Sequence, residues 1–462
     1  MISCFKIYSK NIYNNISYNN VLRYQSTLLS KGVGAFGCLG HGHLNENDAL
    51  LDSYDFKPVV LSTTSSSKND DNDDVIQISA GWGHSLAVTN NGTLYVFGRP
   101  YDFSNILQIN RIRTLSHGIA RLVSKHSNWF GINKTNESTE EKDGGVYTIP
   151  LKVDIDNEYV LEAKASAGLS VVRTKNGKIY CFGLNRWGQC GINNTNNKSH
   201  IYKPNLIVIP KQQKFKAFDV GLQHVVAVTE EGQIFAWGKG NRGQLGDGQA
   251  DSSPTPVQVK FKGNKGIHLK NIIITEVSTG FNHSVALTND GQVFIWGKGI
   301  SDVLKVNTKF YEDQIIPRLI TLPNNIKATQ ICSSNFSTVI RGNDGSLWAL
   351  GMSEYDRSMI INPVPVFAPI PDDENNNDVE KFPDIPLIIP NTAKMFKGHQ
   401  RVIVFYENKS SSIEAYEIIL HQGEAFAKEV NVSIPSTYLS SSKTTSVLDY
   451  SHGWQHSLIL IK

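Results

Sequence analysis

Forty per cent of the 462 residues are hydrophobic, enough for a large core, and 45 basic against 42 acidic residues leave a formal charge of only +3. No apolar run approaches the roughly 18 residues that a membrane-spanning helix needs, which leaves peripheral membrane association open. The five cysteines (Cys4, Cys38, Cys181, Cys190, Cys332) form no CxxC pair, so they read as reduced packing residues rather than a disulfide frame or metal site.

The chain opens on 45 residues without Asp or Glu, carrying Lys6, Lys10, Arg23 and Lys31 among Ser, Asn, Ile and Tyr. An acid-free, basic, hydroxylated leader is what a mitochondrial transit peptide looks like. Residues 1–24 are therefore expected to be a transit peptide, with Arg23-Tyr24-Gln25-Ser26-Thr27 as the processing context and the matrix as destination. A disordered Asn-rich tail is the competing reading. Removing 1–24 takes away three cations and leaves 42 basic against 42 acidic residues.

Next comes a half-repeat, Val33-Gly34-Ala35-Phe36-Gly37-Cys38-Leu39-Gly40. A Ser- and Asp-rich insert, 62–74, precedes the first full copy of a recurring pattern. Gly81-Trp82-Gly83-His84 leads through an apolar strand and Asn90-Asn91-Gly92 to Tyr95-Val96-Phe97-Gly98. The Asn-Gly turn supplies the positive backbone angles that a tight hairpin requires. Weaker copies follow at 118–149, a trace only, and at Gly168 to Gly183. The strongest run from Gly221-Leu222-Gln223-His224 to Phe235-Ala236-Trp237-Gly238 and from Gly280-Phe281-Asn282-His283 to Phe294-Ile295-Trp296-Gly297. Ser334 to Gly351 lacks the histidine, 371–384 is a second acidic insert, and 393–420 is another trace. The chain stops on Gly453-Trp454-Gln455-His456-Ser457-Leu458-Ile459-Leu460, a first half-repeat whose second half sits near the start.

One such hairpin cannot bury both faces alone, so the copies must stack. Pairing of the two termini within one unit closes a ring and removes exposed edges. The expected fold is all-β: a propeller over 33–462, with His452–Leu460 paired to Val33–Phe36. The second half-repeats continue as Trp237-Gly238-Lys239-Gly240-Asn241-Arg242-Gly243-Gln244-Leu245-Gly246, echoed by Phe182-Gly183-Leu184-Asn185-Arg186-Trp187-Gly188-Gln189-Cys190-Gly191. This resembles the repeat of the regulator of chromosome condensation (RCC) family, with a mitochondrial-type member in view. The resemblance implies seven blades, although a tally of half-repeats reaches eight if both traces count.

Gly238-Lys239-Gly240-Asn241-Arg242-Gly243 also matches the GxGxxG dinucleotide fingerprint. That motif needs a strand–helix–strand unit, whereas here a β-repeat and Pro254 and Pro256 surround it, so no cofactor is expected. His84, His224, His283 and His456 recur once per repeat; they read as hydrogen-bonding the backbone at blade starts rather than as a metal ring. No nucleophile–base or carboxylate pair stands out, so no catalytic residue is assigned. The better candidates are Arg186, Trp187, Lys239, Asn241 and Arg242, in loops that leave the same strand of different blades, where a rigid ring presents partner-binding residues.

Three functions fit these features. The first is a mitochondrial scaffold binding protein or RNA partners in RNA processing, ribosome maturation or respiratory-complex assembly. The second, implied by the resemblance, is a guanine-nucleotide exchange factor acting on a small or dynamin-like GTPase without covalent chemistry. The third is a nuclear chromatin-associated propeller, disfavoured because the leader is too weakly charged to hold DNA. With the acidic inserts set aside, ten acids and two lysines are removed and the rest of the propeller carries about +8, which permits a basic face.

Overall fold

Alternating apolar residues flanked by Asn-Gly and Asp-Gly turns form antiparallel hairpins throughout the computed structural model. It describes residues 26–32, 38–41, 53–61, 74–99, 147–192, 199–261, 272–298, 312–353, 355–368, 386–407, 413–430, 432, 434, 446–454 and 456–461. Both acidic inserts (apart from Asp74), the 1–24 leader and most of the 118–149 segment lie outside them.

Strands β1 (Thr27–Gly32) and β2 (Ser53–Pro58) begin the chain. The second blade is β3 (Val75–Ala80), β4 (His84–Thr89), β5 (Leu94–Gly98) and β6 (Tyr147–Val153). The third is β7 (Val160–Ala165), β8 (Leu169–Thr174), β9 (Ile179–Leu184) and β10 (His200–Leu206). The fourth is β11 (Phe215–Val220), β12 (His224–Thr229), β13 (Ile234–Gly238) and β14 (Ser253–Gln258). The fifth is β15 (Ile274–Thr279), β16 (His283–Thr288), β17 (Val293–Gly297) and β18 (Gln314–Ile320). The sixth is β19 (Ala328–Ser333), β20 (Ser337–Gly342), β21 (Leu347–Met352) and β22 (Met359–Phe367). The seventh is β23 (Lys394–Lys397), β24 (Val402–Glu407), β25 (Ile413–His421) and β26 (Glu424–Glu429). Finally β27 (Val447–His452) and β28 (His456–Ile461) join β1 and β2 in the order β2-β1-β28-β27, the first blade. The ring therefore has seven blades among the described residues, and 393–420 is most of one of them.

The terminal closure differs in position from the expectation. The strand that meets β28 is Thr27–Gly32, with Thr27 opposite Ile461 and Gly32 opposite His456, not Val33–Phe36. Gly32 thus holds the place of Gly238, which pairs with His224, and Cys38-Leu39-Gly40 that of Gln244-Leu245-Gly246. The aromatic-glycine signature pointed to Phe36-Gly37, because the true strand end carries Lys31 where its fellows carry an aromatic. Lys31 instead lies 4.6 Å over the Phe56 ring.

The core sits between blades rather than within them. Leu169, Val171 and Cys181 of the third blade pack on Phe215, Phe218 and Trp237 of the fourth, and Val226, Val228 and Ala236 of the fourth pack on Val277, Phe294 and Trp296 of the fifth. The glycine-rich loop is the mortar: the Gln189 carbonyl accepts the Trp237 indole N–H at 3.0 Å, and the Gln244 carbonyl accepts that of Trp296 at 2.9 Å. Truncating either tryptophan to Ala costs about 3–5 kcal/mol on this account. Cys38, Cys181, Cys190 and Cys332 are free and buried, as read from the sequence.

Outer edges are blunted by proline, which cannot extend a ladder. Pro58, Pro150, Pro204, Pro254 and Pro256, Pro317, and Pro363 and Pro365 stand on the outer strands of blades one to six. β26 has no proline. It is covered instead by a parallel pairing with β22, Val366 opposite Ala425 and Phe367 opposite Phe426.

Candidate partner-binding face

One face of the ring carries the tight turns between second and third strands. The other, the loop face, carries the Gly-x-x-His segments and the loops that leave each third strand. The Gly-x-x-His spacing is a packing rule. A Cβ on Gly221 or Gly280 would overlap the ring of His224 or His283. Each ring reaches the next blade: His84 to Ser170, His224 to Ser284 and His283 to Thr338 at 3.0 Å, and His456 to Ser85 at 2.8 Å. The partner is a neighbouring blade's hydroxyl, not the expected backbone group. Burial depresses these rings to about 3 or 4, so they stand neutral.

The innermost strands are stitched by their own side chains, because no fifth strand covers their edge. Asp449 accepts from Ile78 N, Ser451 from Ala80 N, Gln77 from Ala163 N, Asp219 from Thr279 N and Ser278 from Ser333 N, at 2.7–2.9 Å. Burial pushes the carboxyls of Asp449 and Glu276 up to about 7. Burial alone would also raise Asp219, but Lys397 and Lys164 outweigh it and hold that carboxyl well below its usual range. Lys397 of the seventh blade crosses the axis to Asp219 of the fourth at 3.0 Å. The channel retains a cavity of about 240 Å³, with Lys164, Asp219, Glu276 and Lys397 among its lining. At its loop-face end Trp82 packs on Trp454, His399 and Phe281 at centroid distances of 4.8, 5.4 and 5.8 Å, joining four blades.

Around this aromatic centre lie the residues singled out from the sequence. Arg186 and Trp187 are exposed on the third-blade loop, and Asn241 and Arg242 on the fourth-blade loop. The structure brings Trp187 and Lys239 together across the two blades, with Lys239 Nζ 5.1 Å from the ring centroid. Burial, then Arg242 and Lys298, hold the Lys239 ammonium below the ordinary lysine value. Arg242 pairs with Asp313 of the fifth blade at 3.3 Å. The backbone amides of Trp187 and Arg242 are fixed alike, by Gln189 Oε1 and Gln244 Oε1 at 2.8 Å. Gly238 to Gly243 is a strand end and turn with no helix, so the fingerprint match has no phosphate cradle.

Sequence reading missed Lys298, which repeats the place of Lys239 one blade on, and Arg401, which lies over Tyr355 at 5.7 Å while donating to its hydroxyl at 2.9 Å. It also missed the central aromatics. Their signal was available: Trp82, Phe281 and Trp454 all occupy the residue after the glycine of Gly-x-x-His.

Comparison with known proteins agrees with this geometry. A profile described as the Regulator of chromosome condensation (RCC1) repeat matches residues 26–88, 176–228 and 231–287, and a second of the same description matches 75–102 and 215–244. The human X-linked retinitis pigmentosa GTPase regulator is 31% identical over 193 residues, 42% of this chain and 17% of that protein. The Arabidopsis thaliana ultraviolet-B receptor UVR8 is 27% identical over 202 residues, 44% of this chain and 43% of that protein. The chain thus spans less than half of these curated relatives. Among solved structures, human WBSCR16 superposes with a TM-score of 0.61 at 14% identity, covering 94% of this chain and 100% of that one. Prp20p from Saccharomyces cerevisiae does so at 0.57 and 16%, covering 96% and 94%. At these identities the structural likeness speaks to the fold alone.

Proposed function

Since the chain belongs to the RCC1-repeat family of β-propellers, we propose that it is a non-catalytic mitochondrial adaptor that docks a partner on its loop face. The observation that carries this reading is the exposed Trp187 under the half-buried Lys239, beside exposed Arg186, Asn241 and Arg242. These side chains project from a frame whose repeated residues are spent on packing. Trp and Arg on a rigid support are the residue types that dominate interface energetics. The acid-free leader supports the compartment. No helix among the described residues is long and apolar enough to cross a membrane. Affinity purification from isolated mitochondria tests the proposal. The Arg186→Ala/Trp187→Ala protein should lose a partner that the parent captures, with an unchanged thermal melt. Equal capture by both proteins overturns it.

A second reading is nucleotide exchange on a GTPase. It is favoured by the name of the human relative, a GTPase regulator, and by the reported binding of Prp20p to Gsp1p. Release of a fluorescent GDP analogue from a captured GTPase, accelerated by stoichiometric protein, would select this reading over a passive adaptor.

A further inference from the structure

Neighbouring blades are bridged at the rim of the ring in different ways. Between the third and fourth, the glycine-rich loop lies so close to β14 that a Cβ on Gly188 would overlap Pro254. Between the fourth and fifth, Gly243 sits in the same way against Ile315 of β18. Between the fifth and sixth, Arg318 donates to the Ile361 carbonyl at 2.6 Å. Between the seventh and first, the segment after β26 lays Val430, Val432 and Ile434 on the core that the two blades share.

The described residues supply no such bridge at the rim between the second and third blades. Leu151 of β6 pairs with Val96, and Leu206 of β10 pairs with Tyr180. Val96 and Tyr180 belong to the one cluster that joins these two blades. Paired residues of an antiparallel ladder share a face, so the two leucines stand on facing walls. Alternation along the chain adds Ile149 to one wall and Tyr202 and Val208 to the other. All five are between 40% and 66% exposed, which makes an apolar groove walled by two outer strands.

The reason lies in the sequence. Where the third and fourth blades follow their third strand with the glycine-rich loop, Gly98 is followed by 19 residues without a glycine. This connection, whose residues 100–146 lie outside those described, leaves the ring after β5 and returns at β6, one wall of the groove. Its sequence spaces Ile109, Ile112, Leu115, Ile119, Leu122 and Val123 as one face of an amphipathic helix would. Arg113, His117, Arg121 and Lys125 fall on the opposite face of the same pattern.

We propose that residues 109–123 dock their apolar stripe in the groove between the second and third blades. They do there what Val430, Val432 and Ile434 do between the seventh and first, and their basic side stays in water. Nine residues lead in from Arg99 and 23 lead back to Tyr147, long enough to reach any point of an outer strand at roughly 3.3 Å per extended residue. Tethering at both ends beside the groove keeps the effective concentration of the stripe high.

Hydrogen–deuterium exchange of the full-length protein tests this docking. The 109–123 amides should exchange on the order of a hundredfold more slowly than an unstructured chain of the same sequence, as seating two or three aliphatic side chains would give. Leu151→Asp with Leu206→Asp should abolish that protection while β12 keeps its own. The reciprocal change, Ile112→Asp with Ile119→Asp, lies outside the blades, so it should preserve the melt of the ring and speed exchange in His200–Leu206. It decides the matter even where the groove variant folds poorly. Random-coil exchange of 109–123 in the parent, or protection that survives the groove variant, would overturn the docking. So would protection that appears only when light scattering shows a dimer, which would give the groove to a second copy. Protection that appears only with vesicles of anionic lipid would overturn it too, and would give the stripe to a membrane surface.

Discussion

His84 Nε2 on the second blade lies 3.0 Å from Ser170 Oγ on the third, with both side chains fully buried. The same contact recurs wherever the histidine is present. Leu169 stands at the histidine position of the third blade, and the fourth blade answers with Val225 in the same apolar cluster. The repeat therefore offers two self-consistent interblade joints, one polar and one apolar, and mixing them is costly.

His84→Leu is accordingly expected to destabilise the ring by about 1–3 kcal/mol, because it strands a buried hydroxyl. The His84→Leu/Ser170→Val double substitution should recover most of that loss by reproducing the Leu169–Val225 joint. Chemical denaturation of the four proteins closes the cycle. A double variant no better than the sum of the singles would show that the two residues are not coupled.

Stability should fall on mild acidification. His84, His224, His283, His399 and His456 are all held at about 3 or 4 in the fold, mainly by burial. Their contribution is fully present above the unfolded value of about 6.5 and is lost as pH falls toward the folded values. Glu276 and Asp449, raised to about 7, act in the opposite sense, since their contribution is lost as pH rises through 7. Five groups outweigh two, so the urea midpoint should drop between pH 7 and pH 5. A flat or rising midpoint would show that the histidines are not buried neutral.

Asp219 and Lys397 should prove unequal partners. Asp219 is 5% exposed and serves Lys397, Lys164 and the Thr279 amide, whereas the Lys397 side chain is 35% exposed. Asp219→Ala leaves Lys397 without a carboxylate, Lys164 with Glu162 alone and the Thr279 amide unanswered, and is expected to cost about 3–5 kcal/mol. Lys397→Met leaves Lys164 beside the carboxylate and should cost clearly less. Thermal melts of the two variants give the order, and a reversed order would mean that Lys164 does not compensate.

Truncation should be sharp at the first strand. A protein starting at Gln25 keeps Thr27–Gly32 and should melt like the full chain, while one starting at Val33 leaves β28 without its neighbour and should not fold. N-terminal sequencing of the protein from mitochondria should find a start near Tyr24 and no later than Ser26. An intact Met1 there would overturn cleavage of the leader.

The repeat, and with it the all-β ring and its terminal closure, was legible in the sequence alone. Hairpin chemistry is local: an Asn-Gly or Asp-Gly turn between apolar strands needs no distant partner to be recognised. Arg186, Trp187, Lys239, Asn241 and Arg242 were placed the same way in the loops that follow the hairpin, and the structure holds them in the loops that leave β9 and β13. What joins blades was not legible. The ring decided that His84 meets Ser170, that Lys397 crosses the axis to Asp219, that Trp187 lies under Lys239, and that Lys31-Gly32 rather than Phe36-Gly37 ends the closing strand. Each pairs residues far apart in the chain, and their proximity follows from how seven sheets tilt and pack around one axis rather than from local preference.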